Sequence, residues 1–368
     1  MLLAACSVIP INHSGTYIKQ TGLLETDRGY GADVIRYRPD GKQLAVSGGS
    51  NPYVYIYDLK ELKRITRFEK FMKGSNGEAL SYDETGKYFV HQGNMVDKSY
   101  FGTDYKYYYL VRDVINSYQV INDKLQPTVD SSSLRYLYPY PSENKIYGAP
   151  QSLVLDSSKF YIFTLPEMII TPLALGHRQI DQKYALSPDG KLLVDCEHGN
   201  GFDGKRGLGN IRYHLRIWKF PEMELISKVE DAFENEPYVL TWSPDGKTLY
   251  SCSIIPKITK GSDPDIRKNE VMLWDTATWT VKNRYIRPSG GSTGFSYLPD
   301  GKHVVSLGGS LDPVLYLENS LNGEIIEAVK LPHSPYVDTL EQNPVNGNKF
   351  ALGFEDNILL YEIADLPQ

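Results

Sequence analysis

The chain has 368 residues, room for a large core and, at about 150 residues per domain, for two or three domains. Hydrophobic residues make up 41% and charged residues 23%, a balance that excludes a disordered chain. The net charge is −6, from 39 basic and 45 acidic residues with no Lys/Arg-rich run, which disfavours nucleic acid and anionic membrane as partners, and no run of 18 apolar residues offers a transmembrane helix. The 28 tyrosines against 12 phenylalanines, with 31 glycines and 22 prolines, favour half-exposed strands punctuated by turns.

The chain opens Met1-Leu2-Leu3-Ala4-Ala5-Cys6-Ser7. Leu3-Ala4-Ala5-Cys6 resembles a bacterial lipobox, in which small residues precede a cysteine that is lipidated and becomes the mature N-terminus. A basic region and a full apolar run upstream are missing, so residues 1–14 read as a truncated lipoprotein signal followed by a short polar tether. The resemblance implies lipidation at Cys6. With Ser7 rather than Asp after it, it also implies an outer-membrane address in the bacterial envelope, facing the periplasm or the cell surface. A cytoplasmic chain with a disposable tail is the alternative. From Gly15 to Leu23 the pattern turns strand-like.

The first unit then reads Val34–Tyr37, the turn Arg38-Pro39-Asp40-Gly41-Lys42, Gln43–Val46, Tyr53–Asp58 and Lys63–Phe68. The second has the turn Asp83-Glu84-Thr85-Gly86-Lys87 and strands at Tyr107–Asp113 and Ser117–Ile121, and the third has Pro141-Ser142-Glu143-Asn144-Lys145, Phe160–Leu165 and Met168–Leu175. The fourth carries Ser187-Pro188-Asp189-Gly190-Lys191, Leu215–Phe220 and Glu224–Val229. The fifth carries Tyr238–Trp242, Ser243-Pro244-Asp245-Gly246-Lys247, Val271–Asp275 and Trp279–Ile286. The sixth carries Leu298-Pro299-Asp300-Gly301-Lys302, His303–Leu307, Val314–Glu318 and Ile325–Leu331. The seventh has Tyr336–Leu340, a longer turn ending at Lys349, Lys349–Phe354 and Asn357–Glu362, with no fourth strand before Gln368.

In x-P-D-G-K the proline presets φ, the aspartate bonds the local backbone and the glycine takes the positive φ, so each copy is a tight turn within a hairpin. The turn lysines fall at 42, 87, 145, 191, 247, 302 and 349, about 51 residues apart on average. Four strands per repeat at this period is a β-propeller pattern. The chain resembles a WD40-type seven-bladed propeller of the bacterial kind whose turn reads S-P-D-G-K. Trp274-Asp275 is a W-D strand ending, Trp218-Lys219, Tyr57-Asp58 and Tyr361-Glu362 are degenerate forms, and Gly176-His177 resembles the G-H element. The expected fold is all-β: one seven-bladed domain over residues 15–368, its last blade completed by the N-terminal strand. The architecture does not specify a function.

Connections between second and third strands are long at about Gly93–Asp104, His198–Asn210 and Ile255–Lys268, all on one face. Long loops on a rigid scaffold concentrate binding residues. Candidate partner contacts are Tyr100 and Phe101 in the first, His198, Phe202, Lys205 and Arg206 in the second, and Lys257 and Arg267 in the third. The G-x-G-x-x-G at 199–204 lacks the strand–turn–helix a dinucleotide site needs, and no cofactor is called for. Asp195, Glu197 and His198 are the residues from which a metal site or general base could be built, but strand-end polar residues of this kind read first as hydrated. No nucleophile motif occurs. Cys196 and Cys252 lie in neighbouring units, too far apart to bridge, and read as buried free thiols. The expected function is a non-catalytic protein-binding or scaffold propeller, a monomer or one component of a hetero-complex, reaching the membrane only through its lipid. The alternative is a propeller enzyme or a glycan or lactone binder with a site at the central channel.

Overall fold

A computed structural model describes residues 14–27, 32, 34–48, 53–69, 80–96, 105–122, 133–139, 144–151, 159–174, 184–198, 212–255, 268–287, 294–308, 313–332, 339–354 and 357–366. They form 28 strands in seven four-stranded antiparallel sheets, the blades of a β-propeller. Among them no helix is long and apolar enough to cross a membrane. β1 (Ile18–Glu25) precedes blade 1, which is β2 (Val34–Tyr37), β3 (Gln43–Ser47), β4 (Tyr53–Asp58) and β5 (Lys63–Glu69). Blade 2 is β6 (Leu80–Tyr82), β7 (Tyr88–Val96), β8 (Tyr105–Asp113) and β9 (Gln119–Asn122). Blade 3 is β10 (Ser133–Pro139), β11 (Lys145–Gln151), β12 (Lys159–Thr164) and β13 (Ile169–Ala174), and blade 4 is β14 (Tyr184–Leu186), β15 (Leu192–His198), β16 (Tyr213–Lys219) and β17 (Glu224–Phe233). Blade 5 is β18 (Pro237–Trp242), β19 (Thr248–Ile255), β20 (Lys268–Asp275) and β21 (Thr280–Arg287), and blade 6 is β22 (Gly294–Tyr297), β23 (His303–Gly308), β24 (Val314–Asn319) and β25 (Ile325–Lys330). Blade 7 is β26 (Thr339–Gln342), β27 (Lys349–Gly353) and β28 (Asn357–Ile363), with β1 as its fourth strand, in register from Ile18↔Ile363 to Glu25↔Asn357. The predicted closure is therefore present. First strands of successive blades touch one another at six of the seven junctions and form the inner wall of the ring.

The apolar core is divided among the blade interfaces. Seven clusters of buried residues are found, one for each of the seven interfaces. Between blades 7 and 1, for example, Ile35, Tyr55 and Tyr57 meet Ala351, Ile358 and Leu360. Tyrosine suits these interfaces because its ring is buried, and at several of them its hydroxyl finds a polar partner. Tyr57 donates to the Glu25 carbonyl at 2.8 Å, and Tyr118 of blade 2 donates to Gln43 Oε1 of blade 1 at 2.5 Å. Burial pushes the Tyr118 phenol up to about 12.

The repeated turn works as its residues suggest. Gly41, Gly86, Gly190, Gly246 and Gly301 all have positive φ, and each donates its N–H to the carbonyl three residues earlier. Asp40, Asp189, Asp245 and Asp300 accept the N–H of the motif lysine. Neighbouring turns also pack on one another. A Cβ on Gly86 would lie 3.2 Å from Pro39, one on Gly347 2.6 Å from Pro299, and one on Gly41 2.5 Å from Asn343 Oδ1. The other turn of each hairpin pair begins at the third strand's end, where Asp58, Asp113, Asp275 and Asn319 accept local backbone N–H groups. Both sets of turns lie on one face, the turn face. Connections from second to third strand, and from blade to blade, leave the opposite face.

The closing strand is clasped at both ends. At its start the Glu327 carboxylate of blade 6 accepts the backbone N–H groups of Thr16, Tyr17 (2.9 Å) and Ile18 (2.7 Å). Beyond its end Asp27 accepts from Arg64 (2.9 Å), Arg67 (2.8 Å) and the Tyr55 hydroxyl (2.9 Å), all of blade 1. Arg64, with Tyr55 and Arg67, holds the Asp27 carboxyl below its ordinary value against the effect of burial.

Glu327→Ala strips three backbone donors of their acceptor, and urea unfolding should show a loss of about 1–3 kcal/mol. Gly41→Ala should cost more than Gly301→Ala, because both carry a positive φ but a Cβ at 301 meets nothing within 4 Å; the left-handed conformation alone costs about 1 kcal/mol. Since Asp27 has a depressed folded pKa, its contribution is present above its unfolded value, about pH 4, and is lost as pH falls through the folded one. The stability difference between wild type and Asp27→Asn should accordingly shrink on acidification below about pH 4.

Candidate functional site

The hairpins formed by second and third strands have unequal lengths. Blade 1 ends its pairing at Ser47↔Val54 and blade 7 at Gly353↔Ile358, five pairs from the turn face in each case. Blade 2 continues to Val96↔Tyr105 with nine pairs, blade 5 to Ile255↔Lys268 with eight, and blade 4 to His198↔Tyr213 with seven. At about 3.3 Å per residue these ladders reach roughly 13, 10 and 7 Å beyond those of blades 1 and 7. They belong to the units in which the sequence places its long connections, and they run toward the face opposite the turns. The pairing also shortens those connections. Gly93, expected at the start of a loop, lies inside β7, and Ile255, Lys268 and His198 are the last paired residues of their strands. Tyr100, Phe101, Phe202, Lys205, Arg206, Lys257 and Arg267 lie outside the described residues, as do Cys6, Gly176 and His177. His198 is placed by its backbone alone.

Asp195 and Glu197 are described, and both face basic groups. Arg216, on the strand opposite, donates to Asp195 through Nε (2.9 Å) and Nη2 (2.5 Å), and through Nη1 to Glu197 (3.3 Å). The indole N–H of Trp218 completes Asp195 at 3.0 Å, and Lys228 stands 3.0 Å from Glu197. Asp195 and Arg216 are 1% and 2% exposed, so this is a closed ion pair in the blade. Burial pulls the Arg216 guanidinium down, but the two carboxylates outweigh it and raise it. Among the described residues no group of three or more His, Cys, Asp or Glu side chains is gathered as a metal site.

Asp195 occupies a position that recurs. In blades 2, 4, 5 and 6 the fourth residue of the second strand is polar and bonds diagonally to a third-strand residue. His91 accepts from Arg112 (3.0 Å), Asp195 from Trp218, and Ser251 from Trp274 (3.0 Å), while Ser306 donates to Glu318. Blades 1, 3 and 7 place Val46 with Tyr57, Gly148 with Phe163 and Leu352 with Tyr361 there. A second buried ion pair joins blades 5 and 6, where Arg287 Nη2 reaches Glu318 at 2.7 Å and Ser306 at 2.5 Å. Burial pushes the Glu318 carboxyl up against the pull of Arg287. Cys196 and Cys252 are buried free thiols as expected, and burial raises both.

On the inner wall Arg36 of blade 1 meets Glu341 of blade 7 at 3.1 Å, and Ser296 of blade 6 donates to Gln342 of blade 7 at 2.6 Å. Gln342 also donates to the carbonyls of Tyr297 (2.7 Å) and Gly347 (2.6 Å). Crowding at the wall pushes the Glu341 carboxyl up, and Arg36 pulls it back in part. None of these residues stood out in the sequence, because the pairs between blades are separated by most of the ring or by a whole blade.

No protein-family model matches the chain, and no curated protein sequence matches it. Many solved structures do match in fold. One is hydrazine synthase of Kuenenia stuttgartiensis, 16% identical, aligned over 93% of this chain and 97% of that one with a TM-score of 0.67. At that identity the likeness is one of fold, and it agrees with a propeller.

Asp195→Ala leaves the Arg216 charge buried and without its bidentate partner, and should cost about 3–5 kcal/mol in chemical denaturation. Ser251→Ala strands a neutral indole N–H and should cost about 1–3 kcal/mol.

Proposed function

We propose that this propeller is a non-catalytic binding or scaffold module, and that a protein partner docks on the face toward which the hairpins of blades 2, 4 and 5 extend. The observation that carries this reading is the length of those ladders, nine, seven and eight pairs against five in blades 1 and 7. Paired β-ribbons are stiff supports. Raised on a ring, they hold the connections at their tips at set positions, so a partner loses little to ordering them. The chemistry of the described carboxylates fits a framework role, since Asp195, Glu197 and Glu318 are each spent on a basic side chain.

We further infer anchoring of the chain in the bacterial envelope through a lipid on Cys6. Topology makes this compatible with docking. β1 starts at Ile18, opposite Ile363, on the turn face, and ends at Glu25 on the other. A tether from Cys6 to Ser14 spans at most about 29 Å. A lipid on Cys6 would therefore hold the turn face toward the membrane and direct the extended hairpins away from it.

A pull-down from native membranes with the full chain, repeated with residues 198–210, 97–104 or 256–267 replaced by short linkers, tests the docking face. Loss of the same partner in at least one of the three is expected, and an unchanged partner set in all three overturns the assignment. For the anchor, Cys6→Ser should move the protein from the membrane to the soluble fraction. An N-terminal peptide beginning at an unmodified Met1 in the native host would refute it.

A further inference from the structure

We propose that the junction of blades 5 and 6 encloses an internal water site, formed by Tyr250 of β19, Tyr285 and Arg287 of β21 and Glu318 of β24. Four buried polar atoms there, Tyr250 Oη, Tyr285 Oη, Arg287 Nη1 and Glu318 Oε2, have no hydrogen-bond partner within the protein. Leaving a buried donor or acceptor unmade costs more than a typical hydrogen bond contributes. Buried polar groups are therefore paired with the protein or with ordered water.

The four atoms converge. Tyr285 and Arg287 are two residues apart on one strand and project from the same side of the sheet. Arg287 Nη2 reaches Ser306 at 2.5 Å and Glu318 Oε1 at 2.7 Å, and Ser306 donates to that same carboxylate oxygen. Nη1 and Oε2 are the ends of the ion pair that remain. The Tyr250 phenol lies in the fields of Cys252, Arg287, Tyr285 and Glu318, and the Tyr285 phenol in those of Glu318, Arg287, Tyr297 and Cys252. Burial pushes both phenols up, so each keeps its O–H and needs an acceptor. The Cys252 thiol, which meets Tyr238 at 2.9 Å, is also beside Tyr250, but sulfur is a weak partner. Blade 6 covers the group. Tyr250 stacks on Phe295 with ring centroids 3.6 Å apart, and Gly323 lies on the Tyr285 ring, where a Cβ would overlap it. Tyr250, Arg287 and Glu318 are 0%, 2% and 1% exposed, which closes the site to bulk solvent.

The chemistry of the remaining atoms selects the occupant. Arg287 Nη1 and the two phenols donate, while Glu318 Oε2 and the phenol oxygens accept. The charges of Arg287 and Glu318 cancel. An anion would face the carboxylate and a cation the guanidinium, whereas a neutral molecule that both donates and accepts satisfies every member. A buried water makes two to four such bonds. Tyr361 provides the contrast. Its Oη is also buried without a protein partner, but burial is the one influence on its phenol, so a water there would lack the other partners it needs.

The test is urea unfolding of the full chain, together with a high-resolution crystal structure of the wild type. With water in the site each phenol makes a hydrogen bond, so Tyr250→Phe and Tyr285→Phe should each raise the unfolding equilibrium constant about two- to tenfold. A hydroxyl buried dry gives the opposite sign, because its removal relieves an unmet desolvation cost. Tyr361→Phe should show that sign. The crystal structure should hold an ordered water within about 3.2 Å of both Arg287 Nη1 and Glu318 Oε2. A lowered or unchanged unfolding constant in either Tyr250→Phe or Tyr285→Phe, or a rise in Tyr361→Phe equal to theirs, overturns the proposal. So does a crystal structure in which the site is dry, holds an ion, or pairs these two atoms with other protein groups.

Discussion

A four-stranded blade has two apolar faces and can cover neither by itself. Each face must find another blade, and the neighbour brings a second face that must be covered in turn. The sequence of obligations ends when the last blade meets the first. Here the meeting is the interface where Tyr55 and Tyr57 pack on Ile358 and Leu360, and it exists because β1 completes the seventh sheet. Ile18 and Leu24 of that strand are 0% and 1% exposed, so closure is made by burial as well as by ladder bonds. The carboxylates of Glu327 and Asp27 then fasten the strand at each end.

Polar groups inside the blades follow from the same geometry. A face buried on a neighbour has little access to water, so any polar side chain there must be answered within the protein. Asp195 is answered by Arg216 and Trp218, Ser251 by Trp274, and Glu318 by Arg287 and Ser306. These pairs occupy one recurrent level of the sheet, so they serve blade packing and register. An acidic pair that looks available for chemistry in a list of residues is spent once its strand neighbours are in place.

The two faces of the ring differ in kind. One is a circle of tight turns, several of whose glycines (Gly41, Gly86 and Gly347) sit against the preceding blade's proline or asparagine, which leaves little room for variation there. The other receives the second-to-third-strand connections, where extra residues extend a ladder without disturbing the ring. Variation in length therefore gathers on that face.

Much of the fold was legible because it is local and repeated. The x-P-D-G-K turns, the strand pattern on either side and the missing fourth strand of the last unit led to seven blades and their closure. Tyr53–Asp58 was read to the residue, since its ends are set by a turn aspartate and a change of alternation. The hairpin tips were misjudged, because Gly93 reads as a loop residue while cross-strand pairing carries the strand past it. The candidate site was far less legible. Arg36 and Glu341 lie more than three hundred residues apart in sequence and meet on the inner wall. Asp195 and Glu197 were visible, but Arg216 across the hairpin was not foreseen as their partner. Local chemistry dictates turns and strands, whereas contacts between blades arise from curvature and packing summed around the ring. The sequence by itself determined the repeat, the strand order and the two buried thiols. Tertiary structure alone decided which charges neutralise one another.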